Sequence, residues 1–287
     1  MAPQEQARHW RFPELPDVDL LRARYVRRTF IRHTHETFVI AGITGGVEAF
    51  HHRGTVERAG RGGVALINPE VPHTGHAAVP EGWTYGALYP SAALVDEIAG
   101  QALGVRGSAG FRLPVVHDPG AVRMVGEVLR AADEGDALAA DSLMRLVVAR
   151  LLRRAGGPLP GREIRGAGAR MAERARAELM ERMVAPPTLE RLAAGLGVSS
   201  FALLRAFRDR YGMPPHAWLT DARVRRARGL LDAGVRPAEA AVAVGFSDQP
   251  HLHRHFARIV GVGPGAYQRE RVTERAKTYK TAPGRLT

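Results

Sequence analysis

Residues 240–256 read AAVAVGFSDQPHLHRHF, and residues 192–207 read LAAGLGVSSFALLRAF. They are two copies of one pattern. Leu192 and Ala193 align with Ala240 and Ala241, and Gly197 aligns with Gly245. After a one-residue insertion in the second turn, Leu203, Arg205 and Phe207 align with Leu252, Arg254 and Phe256, and the register runs on through Gly212/Gly261, Pro215/Pro264 and Trp218/Tyr267. Each copy predicts a short helix, a tight turn and a second helix. In the first, Leu189, Leu192, Ala193 and Leu196 form an apolar stripe at helical spacing, Gly197 can take the left-handed conformation that ends a helix, and Ser199 can cap the next. In the second, Asp248 is the cap, and Pro250 fits a first turn where its missing N–H has no partner to lose. The intervening HAWLTDARVRRARGLLDAG (216–234) carries Trp218, Leu219, Val224, Ala227, Leu230 and Leu231 on one stripe and predicts a rigid connecting helix. The faces left outside these stripes carry Ser200, Leu204 and Arg205 in one copy and Gln249, His253 and Arg254 in the other, side chains suited to phosphates and base edges. A rigid spacer would let two such helices enter successive major grooves of DNA, a repeat of about 34 Å.

The net charge of +12 is distributed unevenly. Residues 1–150 are close to neutral, with 16 Arg and Lys against 17 Asp and Glu, whereas residues 188–287 hold 17 against 8. A neutral domain followed by a basic helical one suits a chain whose second half meets a polyanion. The absence of cysteine excludes disulfides, thiolate metal sites and a cysteine nucleophile. The amino terminus lacks the basic-then-apolar order of a secretion signal, and no apolar run is long enough to span a bilayer, so a cytoplasmic protein is expected.

Residues 170–270 resemble the DNA-binding domain of the AraC/XylS family, on the strength of LAAGLGVSSFALLRAFRDRYGMPPHAWL and AAVAVGFSDQPHLHRHFARIVGVGPGAYQR. The resemblance implies a double helix-turn-helix that binds promoter DNA and usually activates transcription. By position, its base-facing places fall on Ser200, Phe201, Leu204 and Arg205 in the first recognition helix and on Gln249, His251, His253 and Arg254 in the second. Leu204 departs from the polar residue common at its place, leaving contact with a thymine methyl. Arg254 is the strongest base reader, since a guanidinium can grip guanine O6 and N7 together. Of the three histidines at 251, 253 and 255, the middle one points away from the other two on a helix, which argues against a metal site there.

From Arg24 to Pro90 short apolar runs alternate with glycine-rich turns, as in FVIAGITGGVEAFHHRG (38–54) and GWTYGALYP (82–90). Val39 and Ala41 fall on one side of a strand and Phe38 and Ile40 on the other. A double-sheet jelly roll or cupin-like barrel follows. IRHTHETFVIAGITGGVEAF and GGVALINPEVPHTGHA resemble the cupin-like sensor attached to many regulators of the same family. Cupin enzymes hold a metal with an HxH pair, a glutamate and a later histidine. Here His33 and His35 supply the pair and His73 or His76 the later residue, but Val39 and Ile40 stand where the glutamate belongs. The expectation is a ligand pocket without metal or other cofactor, walled by His33, His35, His73 and Tyr85. The alternative is a cupin-type metalloenzyme fused to a DNA-binding domain.

Residues 120–132 and AADSLMRLVVARLLRRAG (139–156) read as paired helices, which resemble the family's dimerisation element. The fold class is therefore α+β in two domains: a cupin-like ligand-sensing and dimerisation domain over 1–155, a Gly/Pro linker over 156–168, and an all-α double helix-turn-helix over 169–287. The function expected is a non-enzymatic, effector-controlled transcription activator. Its implied partners are promoter DNA, a small-molecule effector, RNA polymerase and a second copy of the chain.

Overall fold

The computed structural model describes residues 5–105, 107–158 and 166–271. The first half, called the sensor after its expected role, is sheet-rich and is built from β1 (Gln6–Arg11), β2 (Val18–Tyr25), β3 (Thr29–His33), β4 (Val39–His52), β5 (Thr55–Gly60), β6 (Gly63–Ile67), β7 (His73–Ala77) and β8 (Trp83–Pro90). After α1 (Ala92–Leu103) come β9 (Ala109–Phe111), β10 (Val115–His117), α2 (Pro119–Glu134), α3 (Ala137–Ala155) and β11 (Gly156–Pro158).

The long strand β4 belongs to two layers. Its first part pairs antiparallel with β6 and β8, in the order β1-β2-β8-β4-β6-β10, and its second part pairs with β5 and β7, the latter also holding β3. The change of layer falls around Gly45 and Gly46, just after the register with β8 shifts between Ile43 and Gly45. Gly46 has φ +67°, and a Cβ there would strike the carbonyl of Gly82, so only glycine suits the bend.

Strand alternation sorts the side chains as the sequence predicts. Val39, Ala41, Ile43, Ala65, Ile67 and Trp83 point between the layers, while Phe38, Ile40, Val64, Leu66 and Leu88 face a cover of helices. That cover is α1 to α3, which bury Val95, Ile98, Val122, Val125, Leu129, Met144 and Val148 against the sheet. Asp118 and Asp136 cap α2 and α3 by accepting from Ala121 and Ala139 backbone N–H groups, and Gly135 ends α2 in the left-handed conformation.

The second half, called the reader after its expected role, consists of α4 (Gly166–Glu181), α5 (Leu189–Gly195), α6 (Ser200–Tyr211), α7 (Pro215–Asp232), α8 (Pro237–Ala243) and α9 (Gln249–Val260), with residues 264–271 again helical. The caps foreseen at Ser199 and Asp248 are in place, accepting from Ala202 and His251 N–H. The connecting helix α7 serves two cores. Its first half gives Trp218, Leu219 and Ala222 to the core around Leu203 and Phe207, and its second half gives Val224, Ala227 and Leu231 to the core around Leu252 and Phe256. Helix α4, which the repeat does not announce, adds Ala172, Ala175 and Leu179 to the first core.

The linker expected over 156–168 is narrower. Gly156–Pro158 pair antiparallel with β9, because the Gly156 N–H closes on the Leu152 carbonyl and turns the chain back along that edge. Helix α4 begins at Gly166. Residues 159–165, and the end of the 169–287 domain from 272 onward, lie outside the described residues, as do residues 1–4 of the 1–155 domain.

Candidate functional site

A cavity of about 70 Å³ lies between sensor and reader. From the sensor it is lined by His33, His35, His73, Tyr85, Tyr89 and Glu48, and from the reader by Arg225, Arg228, Ile259 and Val260. All four wall residues expected from the sequence meet here. His33 leaves the end of β3 and His73 opens β7, directly opposite in the strand register, while His35 follows two residues after His33 on the same side. His76, the other candidate in this region, sits farther along β7 opposite Thr29 and does not line the cavity.

The cavity keeps its imidazoles neutral. Burial lowers the pKa of His33, His35 and His73, and the two neighbouring imidazoles add repulsion at His35. His9, also on the wall, is pushed down to about 3 by burial together with the charges of Arg228 and Arg271. Burial drives Tyr85 well above the usual phenol range and raises Tyr89 as well. The same cause lifts the Glu48 carboxyl to about 7.

The two domains are joined around this cavity by buried polar bonds. Asp19 of β2 accepts from Arg11 (2.5 Å) in the sensor and from Arg228 (2.9 Å) and Arg271 (3.2 Å) in the reader. Burial acts to raise this carboxyl, but Arg271, Arg228 and Arg11 together hold it well below the usual carboxylate range. Thr34, between the two cavity histidines, donates to buried Asp221 of α7 at 2.6 Å. Two sensor arginines also reach the carboxy-terminal ends of the recognition helices. Arg28 donates to the carbonyls of Ala257 (3.2 Å) and Gly261 (2.7 Å) at the end of α9, and Arg32 to that of Gly212 (3.0 Å) at the end of α6. A cation there complements the negative end of the helix dipole. Gly261, at φ +93°, lies so close to Tyr25 and Phe30 that any side chain would clash.

The sensor covers the ends of α6 and α9 and leaves much of their outer surface open. Arg205, Gln249, His253 and Arg254 are exposed, Phe201 is 80% exposed, and Ser200 and Leu204 are half-buried. His251 is drawn inward: its Nδ1 lies 3.0 Å from Ser247 Oγ, and its ring sits 5.1 Å from both Phe246 and His255. His253 lies over Gly263, with a ring carbon 2.6 Å from where a Cβ would stand. The outward divergence of His253 from the 251/255 pair is as the helical spacing predicts. The pair itself packs against the turn, since His255 stacks on Phe246 at 5.7 Å.

Comparison with known proteins bears on both halves. Residues 15–148 match the family model of the AraC-like ligand binding domain, and residues 192–270 match that of a helix-turn-helix domain. The chain belongs to the AraC family. Its helix-turn-helix half is 42% identical over 65 residues to the uncharacterised HTH-type transcriptional regulator YbfI of Bacillus subtilis, covering 23% of this chain and 24% of that protein. It is 30% identical over 83 residues to the HTH-type transcriptional regulator MtrA of Neisseria gonorrhoeae, covering 29% and 28%. The matched residues thus span about a quarter of these curated relatives. In fold the whole chain is similar to ToxT of Vibrio cholerae, with a TM-score of 0.54 at 10% identity over 93% of this chain and 97% of that one. A ToxT structure with bound unsaturated fatty acid matches with a TM-score of 0.53 at 10% identity, covering 88% and 94%.

In this AraC-family chain the sequence reading missed Glu48, Arg225 and Arg228 as cavity residues. Glu48 had a signal, as the one acid in the apolar run GGVEAF. The arginines had none, because they come from the other domain. Glu48 has a measurable consequence. Its folded pKa, about 7 against 4.5 for the ordinary group, means that the protonated form is the one the fold favours. The associated stability is complete below about 4.5 and is lost as pH rises through 7. Glu48→Gln is therefore expected to leave stability unchanged near pH 4.5 and to raise it by about 1–3 kcal/mol at pH 8. Chemical denaturation at both pH values checks this, and an equal effect at both would remove burial of the charge as the cause.

Proposed function

We propose that the protein is a transcription regulator whose two helix-turn-helix units bind promoter DNA under the control of a small-molecule effector in the cavity between sensor and reader. One observation carries this reading: the cavity wall is shared, with histidines and tyrosines from one domain and Arg225 and Arg228 from the other. A ligand changes a conformational balance only through contacts that differ between the two states. A ligand held between two domains has such contacts, because parting the domains removes half of them.

The cavity's size speaks to the effector. About 70 Å³ holds roughly five water molecules. The effector is accordingly a compact molecule. An unsaturated fatty acid, as bound in the ToxT structure of similar fold, would need more room than this cavity offers. The reading also includes a homodimer, supported by Leu138 and Leu146, which stand 79% and 55% exposed two turns apart on α3. RNA polymerase is the further partner, in the activating role that the family resemblance implies. Ser200, Phe201, Leu204, Arg205, Gln249, His251, His253 and Arg254 are the proposed DNA-facing set, with His251 the least free to reach a base.

The test is Arg254→Ala. A map of bound genomic sites supplies the operator, and fluorescence-polarisation titrations against a panel of single-base variants then read specificity. The variant is expected to lose about 1–3 kcal/mol of discrimination at one base pair. Discrimination unchanged at every position would remove Arg254 as a base reader.

A further inference from the structure

Three imidazoles converge in the cavity. One ring nitrogen from each of His33, His35 and His73 can be chosen so that all lie within 4.8 Å of one another. The rings of His33 and His73 are 4.4 Å apart between centroids, and that of His35 is 4.9 and 5.1 Å from them. Two of the three are fixed in one tautomer. His33 Nδ1 lies 2.7 Å from the Ile31 carbonyl and His73 Nδ1 lies 3.0 Å from the Val71 carbonyl. A carbonyl can only accept, so each Nδ1 carries the proton and each Nε2 is left with its lone pair bare. His33 Nε2 faces His35 Nε2 at 3.2 Å. Two nitrogens each about 2.0–2.1 Å from a tetrahedral ion stand about 3.3 Å apart, so this pair already has the spacing of two ligands on one metal.

We propose that His33, His35 and His73 bind one first-row divalent transition metal ion of the zinc type, with an open coordination position facing the cavity. The donor set decides the class of ion. Three neutral nitrogens suit zinc, cobalt, nickel or ferrous iron, whereas calcium and magnesium require oxygen. The backbone carbonyls behind His33 and His73 hold the rings in the ligating tautomer, which is the usual outer support of a metal-bound histidine. The lack of a glutamate at Val39 and Ile40, which led the sequence reading to expect no metal, does not count against this site. Three imidazoles complete a three-ligand set without a carboxylate. The widest separation, up to 4.8 Å, has to close by about 1.5 Å to reach the spacing of two ligands on one tetrahedral ion. Nearby cations do not forbid the ion, since Arg228 is paired with Asp19 at 2.9 Å and Arg225 lies 3.7 Å from Asp221 and 3.8 Å from Glu36.

The open position gives the metal a role in the effector reading above: it would anchor an oxygen or nitrogen donor of a compact ligand. The site itself does not depend on that reading, as a chain that bound DNA without any organic effector would still hold the ion. Neither does it imply a reaction.

The experiment uses the full chain, purified without a histidine tag and stripped with a chelator, and titrates it with Co²⁺. The expected result is one equivalent bound per chain, with the intense visible absorption of four- or five-coordinate cobalt. His35→Ala, which removes the least buried of the three, is expected to abolish that absorption. His255→Ala, which breaks the 251/255 pair on α9, is expected to leave it intact. X-ray absorption of the zinc-loaded wild-type protein gives a reading that needs no variant, and three imidazoles at about 2.0–2.1 Å are expected. No binding by the wild type, an unchanged cobalt spectrum in His35→Ala, loss in His255→Ala, or fewer than three imidazoles around zinc would each overturn the assignment.

Discussion

Asp19→Ala is expected to part the sensor from the reader. Asp19 is the carboxylate that answers Arg228 and Arg271 across the domain boundary. Taking one partner out of a buried ion cluster costs about 3–5 kcal/mol, because the remaining charges stay desolvated without an anion. Two features pull the value toward the lower end. Arg11 is 51% exposed and can turn to water, and Asp232 remains 3.6 Å from Arg271. Asp232 belongs to α7, where one oxygen neutralises Arg271 from within the reader and the other, 3.6 Å from Arg11 of β1, keeps a weaker pair across the boundary. A loss of about 3 kcal/mol is therefore expected to fall mainly on closure, while each domain's own core keeps its packing. What remains across the boundary includes the Thr34–Asp221 bond, the His9 N–H donated to Glu270, the looser Arg11–Asp232 and Arg225–Glu36 pairs, and the contacts of Arg28 and Arg32 with the ends of α9 and α6. These amount to a few ordinary bonds of about 1 kcal/mol each, with somewhat more where an arginine donates. Small-angle scattering should show an increased radius of gyration, and the heat-unfolding profile should divide into two transitions. A single transition with unchanged dimensions would mean that closure rests on apolar contact instead.

Phe256→Ala is expected to unfold the second helix-turn-helix unit and to abolish operator binding. Phe256 is fully buried, at the centre of a core shared with Val224, Leu231, Ala240, Leu252 and Tyr267. Truncating a buried phenylalanine costs about 3–5 kcal/mol in lost transfer energy and cavity. A unit of this size has little stability to spare against such a loss. Phe207→Ala should do the same to the first unit, whose core meets the second through their common helix α7 and through Met183, which packs against both. Hydrogen exchange would locate the damage. The amides of α8 and α9 should lose protection in Phe256→Ala while those of β4 and α3 keep theirs. Uniform loss across the chain would show that sensor and reader unfold as one.

The helix-turn-helix repeat was legible in the sequence because its determinants are local. Apolar residues at intervals of three and four, a glycine able to take positive φ, and a capping Ser or Asp act within a few residues of one another, and the matched copies at 192–207 and 240–256 state the pattern twice. The strand alternation around Val39 and Phe38 was legible for the same reason. Segment 156–158 was misread as linker because a strand of three residues with two glycines owes its existence to the waiting edge of β9 and to nothing in its own composition.

The sequence by itself pointed to two domains and their fold classes through spacing along single strands and helices, and its resemblance to cupin-like sensors nominated His33, His35, His73 and Tyr85 as wall residues. Only the tertiary structure decided what the wall residues face. Arg225 and Arg228 lie 140 to 180 residues from Glu48, Tyr85 and His73, and no periodicity relates positions that distant. The tautomers of His33 and His73, the depth of burial that keeps them neutral, and the convergence of three imidazoles depend on where strands β3 and β7 meet. Hydrogen-bond geometry and desolvation are properties of atoms brought close in space, and a linear pattern carries neither until the chain has folded.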